Sequence, residues 1–346
     1  MKKTLLITMD FYPSIGGISH YWEQFSQHMS PQEWVVLAPQ LPVGVSEKTT
    51  LYTLYRRSFF SKLFFPRWIP LIVEIIRIVK KEKIRCIIVG QVVPVGSAVY
   101  VVSLLMGIPY VVSLHGMDLG MTARNRRKYF LARVILKKAR LVIVNSSDTA
   151  QRAVSFGVGL QSIKILYPCA DIPQDIPHIP DEKNYPVLLT VSRLVSRKGI
   201  QYVIEALPRI IQVFPHCRYV VIGGGKMLRE LKKDVLSHVL SDHVEFVGST
   251  SKESKTAYYR ECDIFVMTPF EDNGDVEGFG MVYLEANSFG KPVIGTKSGG
   301  IADAVIRLAG DPSLAQRLGA QGKSRVKQDF QWSVQAKKLE KILTYL

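Results

Sequence analysis

Short apolar runs bounded by turns, each followed by a stretch with helical spacing, recur along this chain and leave it few folds to choose from. In the first half the runs are TLLITM, WVVLA, CIIVG, YVVSL, LVIVN and IKILY; in the second they are VLLTVS, RYVVIGG, VEFVG, DIFVM and PVIGT. Runs that are apolar at nearly every residue belong to strands covered on both faces, and their alternation with helices makes the sheet parallel and doubly wound. Between the two sets lies DIPQDIPHIPDEKNYP, residues 171–186, with four prolines in sixteen residues. No helix runs through such a stretch, so it reads as a linker. The chain is therefore predicted to be α/β with two domains, and its 346 residues are enough to give each domain its own core.

The segment EGFGMVYLE, residues 277–285, carries the densest chemistry. Glu277 and Glu285 bracket Gly278, Phe279 and Gly280, and a helix is expected to begin near Phe279. The two glycines let a ligand approach the backbone closely, and the first amides of the helix, at the positive end of its dipole, are free for phosphate oxygens. Taken alone, the pattern of two glutamates is that of an ordinary amphipathic helix with two solvated carboxylates, and context has to overturn that reading. The segment TVSRLVSRKG adds the context: the strand VLLTVS runs into Arg193, and Lys198 with Gly199 precedes the helical IQYVIEALPRII. Cations at the carboxyl end of a strand lie on the ligand side of an α/β sheet. Arg193 can grip two oxygens and Lys198 adds a point charge, a pair that suits the diphosphate of a nucleotide-sugar. Each taken singly is an ordinary solvated cation. Two further glycine turns follow strands: Gly16 and Gly17 in DFYPSIGGISHYW, and Gly223 to Gly225 with Lys226 in VIGGGKM, whose spacing is not that of a Walker loop.

In this order, SRLVSRKG, VIGGGKMLREL, EFVGSTSKESKTAYYRECDIFVMTP, EGFGMVYLE and GKPVIGTKSGGIADAV resemble the second half of a GT-B glycosyltransferase of the large retaining group called family 4. TMDFYPSIGGISHYW, SLHGMDL and VNSSDTAQRAVSFGV resemble the first half, so the likeness covers nearly the whole chain. It implies two Rossmann-like doubly wound domains facing a central cleft. Residues 1–170 would bind the acceptor, 171–186 link the domains, 187–328 bind the nucleotide-sugar, and 329–346 form a helix packing back on the first domain. DVEGFGMVYLEA looks like bacterial enzymes that move mannose or related hexoses onto lipid-linked or envelope glycans, with GDP-mannose or a UDP-sugar as donor.

The resemblance also implies roles. Arg193 and Lys198 hold the diphosphate, Val247 and Gly248 seat the base, Glu285 takes the ribose hydroxyls, and Glu277 contacts the sugar ring. The backbone of Gly278, Phe279 and Gly280 faces the donor, Gly16 and Gly17 lie over its phosphates, and His115 sits by the transferred sugar with Asp118 near enough to orient it. His115, Glu277, Arg193 and Lys198 form the expected catalytic set. Family members are thought to let the leaving phosphate help deprotonate the acceptor, so no carboxylate nucleophile is assigned. No metal and no cofactor beyond the nucleotide-sugar is expected, since the side-chain cations and helix amides can stabilise the leaving diphosphate.

Two departures stand out. YPCAD, residues 167–171, replaces the family's usual turn before the linker, and Val305 runs directly into Ile306 and Arg307 where relatives insert a strand and a helix, on the order of twenty-five residues. A non-catalytic sugar-nucleotide or membrane-binding relative is thus the alternative to an enzyme. A GT-B epimerase is a second, without that class's histidine-rich signatures.

Charge is lopsided. Of the net +16, residues 1–180 supply most, with 22 Lys and Arg against 10 Asp and Glu, while the remainder has 23 against 19. An acceptor-binding half of that sign suits an anionic acceptor or an anionic membrane. Within residues 56–83, Phe59, Phe60, Phe64, Phe65 and Trp68 are interleaved with Arg56, Arg57, Lys62 and Arg67, a mixture that suits lipid headgroups. Aromatics packed beneath a loop are the plainer reading of the same residues. Nucleic acid is not an expected partner, because no recognition motif accompanies the charge. Residues 87–114 carry no charge and are long enough to span a bilayer, but Gly90, Pro94, Gly96, Gly107 and Pro109 divide them into strand, helix and strand. Four scattered cysteines without paired spacing suit a reducing cytosol, and MKKTLLITMDFYP reads as a first strand, not a signal peptide. The expected location is cytoplasmic, peripheral at the inner face of the plasma membrane.

Overall fold

The computed structural model describes residues 2–14, 16–171, 185–272, 279–295 and 300–346. It divides into two compact units, Met1–Pro168 with Trp332–Leu346, and Cys169–Gln331.

The first unit is built on seven parallel strands: β1 (Thr4–Ile7), β2 (Trp34–Pro39), β3 (Thr53–Arg57), β4 (Cys86–Val89), β5 (Tyr110–Leu114), β6 (Leu141–Val144) and β7 (Ile163–Ile165). They lie in the order β3-β2-β1-β4-β5-β6-β7, with β1 at the switch point between β2 and β4. The intervening helices are α1 (Gly17–His28), α2 (Ile69–Glu82), α3 (Val95–Met106), α4 (Met117–Ala123), α5 (Arg126–Lys138) and α6 (Ser147–Ser155). Helix starts are marked as their sequences dictate: the Asn125 side chain accepts from the amides of Arg127 and Lys128, and Ser146 accepts from that of Thr149. Leu71, Ile75 and Val79 of α2, Val95, Val99 and Val102 of α3, and Ala132, Ile135 and Leu136 of α5 pack with alternate strand residues into one core.

β3 is the strand that sequence patterning misses. Its residues TLYRR are half-exposed or exposed, as befits the outermost strand of the sheet, and carry no apolar run to betray it. The uncharged residues 87–114 fold as β4, α3 and β5, and no helix among the described residues is long and apolar enough to cross a membrane.

The second unit has five parallel strands, β8 (Val187–Val191), β9 (Arg218–Ile222), β10 (Val244–Gly248), β11 (Ile264–Val266) and β12 (Val293–Ile294), in the order β10-β9-β8-β11-β12. Its helices are α7 (Ile200–Val213), α8 (Leu228–Ser237), α9 (Lys252–Glu261), α10 (Met281–Ser288), α11 (Ile301–Gly310) and α12 (Pro312–Asp329). Neighbouring residues of a strand go to opposite faces: Leu188 and Val221 join a core with α7, α8 and α11, while Leu189 and Val220 join one containing Tyr259 of α9 and Ala286 of α10. The junction after Val305 falls inside α11, a continuous helix that buries Ala302, Val305 and Leu308. The shortening there leaves no break in the packing.

The last helix, α13 (Trp332–Thr344), belongs to the first unit. Trp332 packs edge-on against Tyr21 at 5.9 Å and Phe25 at 5.6 Å on α1, while Glu340 accepts hydrogen bonds from the amide and hydroxyl of Ser30. Aromatic pairs of this kind are worth about 0.5–1.5 kcal/mol beyond the area they bury.

Candidate active site

In the second unit the expected donor residues that the structure describes gather at the carboxyl end of the sheet. Arg193 follows β8 and is exposed; Lys198, five residues on, is buried, as is Arg197 beside it. Backbone bonds stitch this loop to its neighbours: Leu194 donates to Gly224 at 2.9 Å, Met227 donates to Leu194 at 3.1 Å, and Gly223 donates to Gly248 at 2.8 Å. Hence the Arg193 loop, the glycine turn of 223–225 and the end of β10, with Val247 and Gly248, form one ligand-side rim. Gly199 explains why the loop is so tight. Its φ of +70° favours glycine, and a Cβ there would stand 1.9 Å from the carbonyl oxygen of Thr268, whose hydroxyl in turn donates to Gly199 at 2.7 Å.

The helix after β11 begins at Met281, two residues later than the sequence suggests, with Gly280 as its left-handed cap at φ 79°. Glu285 lies in its second turn, and its Oε2 accepts from the Tyr259 hydroxyl at 2.8 Å and from Lys255 Nζ at 3.0 Å. Burial and the neighbouring carboxylate push the Tyr259 phenol well above its ordinary range, so it remains a donor at every ordinary pH. These two partners, both on α9, are neighbours of an expected donor residue that sequence reasoning missed; nothing in the spacing of α9 announces them. Phe279 packs against Phe330 at 5.9 Å. Glu277 and Gly278 lie outside the described residues.

In the first unit the expected residues again sit at the carboxyl ends of strands. Gly16 caps α1, Gly17 is its first residue, and both are exposed, with open space around Gly16. His115 follows β5, is 8% exposed, and packs edge-on against Tyr21 at 5.1 Å. Burial pushes its pKa down to about 4, which keeps the imidazole neutral. Asp118 holds the main chain of His115 and not its ring: Oδ2 accepts from the His115 amide at 3.0 Å. Burial raises the Asp118 carboxyl to about 6, against the lowering effect of that hydrogen bond. Asn145 adds a hydrogen bond to the His115 carbonyl at 3.3 Å.

Gln91, just beyond β4, is another residue sequence reasoning passed over. It accepts from the Met9 amide at 3.0 Å and donates to Asp10 Oδ2 at 2.8 Å, pinning the chain after β1 that leads to Gly16. A glutamine at the end of an apolar, uncharged run was the available signal.

The segment 56–83 divides in two. Phe59 is buried and Trp68 packs against the core, Arg56 is paired with Glu47 at 2.7 Å and Arg57 with Glu74 at 3.0 Å, so these four serve the fold. Leu63, Phe64 and Phe65 remain exposed beside Lys62 and Arg67.

Residues 15–173 match the family described as Glycosyltransferase Family 4, and residues 171–318 match Glycosyl transferases group 1. The chain belongs to glycosyltransferase family 4. This family 4 glycosyltransferase is 27% identical to a GDP-mannose-dependent monoacylated alpha-(1-6)-phosphatidylinositol monomannoside mannosyltransferase of Corynebacterium glutamicum, over 99% of this chain and 98% of that one. It is 28% identical to a GDP-mannose-dependent alpha-(1-6)-phosphatidylinositol monomannoside mannosyltransferase of Mycobacterium tuberculosis, again over 99% and 98%. The corynebacterial alignment runs over 381 positions against the 346 residues here, so that relative carries residues with no counterpart in this chain. Among solved structures, Anabaena HepE in complex with UDP is similar with a TM-score of 0.78 at 18% identity, covering 99% of this chain and all of that one. Sucrose-phosphate synthase from Thermosynechococcus elongatus gives 0.79 at 19%, covering 100% of this chain and 99% of that one. The fold is GT-B, and the protein is a glycosyltransferase.

Proposed function

We propose that this glycosyltransferase moves a mannosyl residue from GDP-mannose to a lipid-borne acceptor of the cell envelope, with retention at the anomeric carbon. The observation that carries the reading is near full-length similarity to two enzymes described as GDP-mannose-dependent phosphatidylinositol mannoside mannosyltransferases. The residues fit it. Arg193 and Lys198 are expected to neutralise the diphosphate as the anomeric C–O bond breaks, aided by the amides at the start of α10. Glu285, with Oε2 already taken by Tyr259 and Lys255, offers Oε1 to a ribose hydroxyl. Glu277 would hold the hexose, Val247 and Gly248 the base, and Gly16 and Gly17 the phosphates. A neutral His115 would accept or donate a hydrogen bond at the sugar without adding charge. No metal is needed in this scheme.

The cationic first half and the exposed Leu63, Phe64 and Phe65 support peripheral attachment to an anionic membrane, where such an acceptor resides. The test is a panel of nucleotide-sugars scored first by thermal stabilisation and then by hydrolysis. GDP-mannose should stabilise the folded chain by about 2.7 kcal/mol at a hundredfold excess over its Kd, and release of mannose should follow. Stabilisation by a UDP-sugar alone would change the donor; stabilisation without turnover would make the protein a binder.

A further inference from the structure

We propose that the outer face of α5 is a membrane-docking surface for anionic lipid, separate from the exposed loop before α2. The first turn of α5 holds Arg126, Arg127 and Lys128 and no acidic residue. Cations oppose the dipole at a helix amino terminus, where Asp and Glu are the stabilising choice. Three of them there weaken the helix, and their use must be sought outside the fold. From residue 124 to residue 140 the chain carries eight Lys and Arg and no Asp or Glu. Among the described residues no carboxylate pairs with Arg126, Arg127, Lys128 or Arg133.

The same face is apolar at its centre. Ala132, Ile135 and Leu136 turn into the core, while Phe130 is 69% exposed and Leu131 is exposed beside it. Helical spacing places Arg126 four residues before Phe130, Arg133 three residues after it, and Arg127 four residues before Leu131, all on neighbouring positions of one face. A bulky ring ringed by long-stemmed cations matches the headgroup layer, into which the ring can sink while the charges meet lipid phosphate.

The placement suits a surface reached by two points. Arg140, just past α5, donates to the Tyr110 carbonyl at the start of β5, so α5 ends at the amino edge of the sheet and begins at the carboxyl edge. Arg85, just past α2, likewise donates to the Lys3 carbonyl at the start of β1. Both helix starts therefore lie at the carboxyl end of one sheet, and α3 packs between the two helices. At 8–10 Å per packed helix pair, the axes of α2 and α5 stand roughly 16–20 Å apart, and the exposed loop of residues 60–67 precedes α2.

This inference rests on the lipid-borne acceptor proposed above, and its test does not depend on activity. The full chain is sedimented with vesicles of phosphatidylcholine alone or mixed with phosphatidylglycerol. Wild type should bind the mixed vesicles and lose them as salt rises. At about fivefold per cation, Arg126→Gln with Arg127→Gln should weaken binding about thirtyfold, without lowering the melting temperature, since the helix loses unfavourable charges. Arg126→Lys with Arg127→Lys should bind as wild type does, and Phe130→Ser should weaken binding to the mixed vesicles. Equal partition onto both vesicle types, or unchanged partition of the glutamine variant, would overturn the proposal. Hydrolysis of soluble GDP-mannose, measured on the same preparations, judges the transfer reading separately and should not change.

Discussion

The Tyr259 hydroxyl donates to Glu285 Oε2 over 2.8 Å, tying a phenol on α9 that is 1% exposed to the carboxylate of α10 expected to meet the ribose. A hydrogen bond to a charged group of this kind is worth about 1.5–3 kcal/mol. Tyr259→Phe removes it while keeping the ring stacked on Phe289 at 5.5 Å. The expected result is a donor KM raised about tenfold with a smaller change in kcat, read from initial rates with GDP-mannose.

Gly199 gives a prediction about the backbone. With φ at +70° and the Thr268 carbonyl oxygen 1.9 Å from where a Cβ would stand, Gly199→Ala has to displace backbone. Strain of this sort costs on the order of 1–3 kcal/mol or more. Gly300, with a similar φ of +77° but open surroundings, is the control. Thermal melts should show Gly199→Ala destabilised well beyond Gly300→Ala; equal losses would mean that the close approach to Thr268 is immaterial.

His115 and Asp118 predict opposing pH dependences. The folded pKa of His115 is lowered from 6.5 to about 4, so its contribution is present above pH 6.5 and lost as pH falls toward 4. Asp118 is raised from 3.8 to about 6, so it favours the folded state at low pH and loses that advantage as pH rises through 6. Each effect is on the order of 3 kcal/mol, and between pH 4 and 6 they offset one another. Asp118→Asn, which keeps an acceptor for the His115 amide, should expose the histidine: its melting temperature should drop more steeply than wild type as pH falls from 6.5 to 4. Parallel melting curves for the two proteins across that range would count against buried titration here.

The proposal that Arg193 and Lys198 neutralise the diphosphate without a metal makes a further prediction. Chelation with EDTA should leave transfer from GDP-mannose unchanged, measured as mannose incorporated into lipid. Loss of activity restored by a divalent ion would show that Arg193 and Lys198 do not suffice.

Much of this architecture is written locally. The five strands of the second sheet and six of the seven in the first are apolar enough to be read directly, because buried parallel strands need no alternation. β3 escaped because an outermost strand can be polar, and TLYRR is. The segment 56–83 looked uniform as a string but is not: Phe59 and Trp68 were claimed by the core and Arg56 and Arg57 by carboxylates, partnerships that depend on residues 9 to 17 positions away or on whole helices. For the same reason the hold of Tyr259 and Lys255 on Glu285, spanning 26 and 30 residues, and that of Gln91 on Asp10, spanning 81, left no trace in local spacing. Glycines and cations after strands can be read because the ligand side of a parallel sheet follows from chain direction alone. Which groups steady them depends on how distant helices pack.

Everything proposed for the donor site depends on Arg193 and Lys198 binding its diphosphate. Calorimetric titration of GDP-mannose tests it most directly, using wild type and the double variant Arg193→Ala with Lys198→Ala, each checked by thermal melting. Wild type should bind saturably, and the variant at least about a hundredfold more weakly, as expected when two charge-assisted hydrogen bonds to phosphate are removed together, with folding retained. Comparable affinity in both proteins would contradict it.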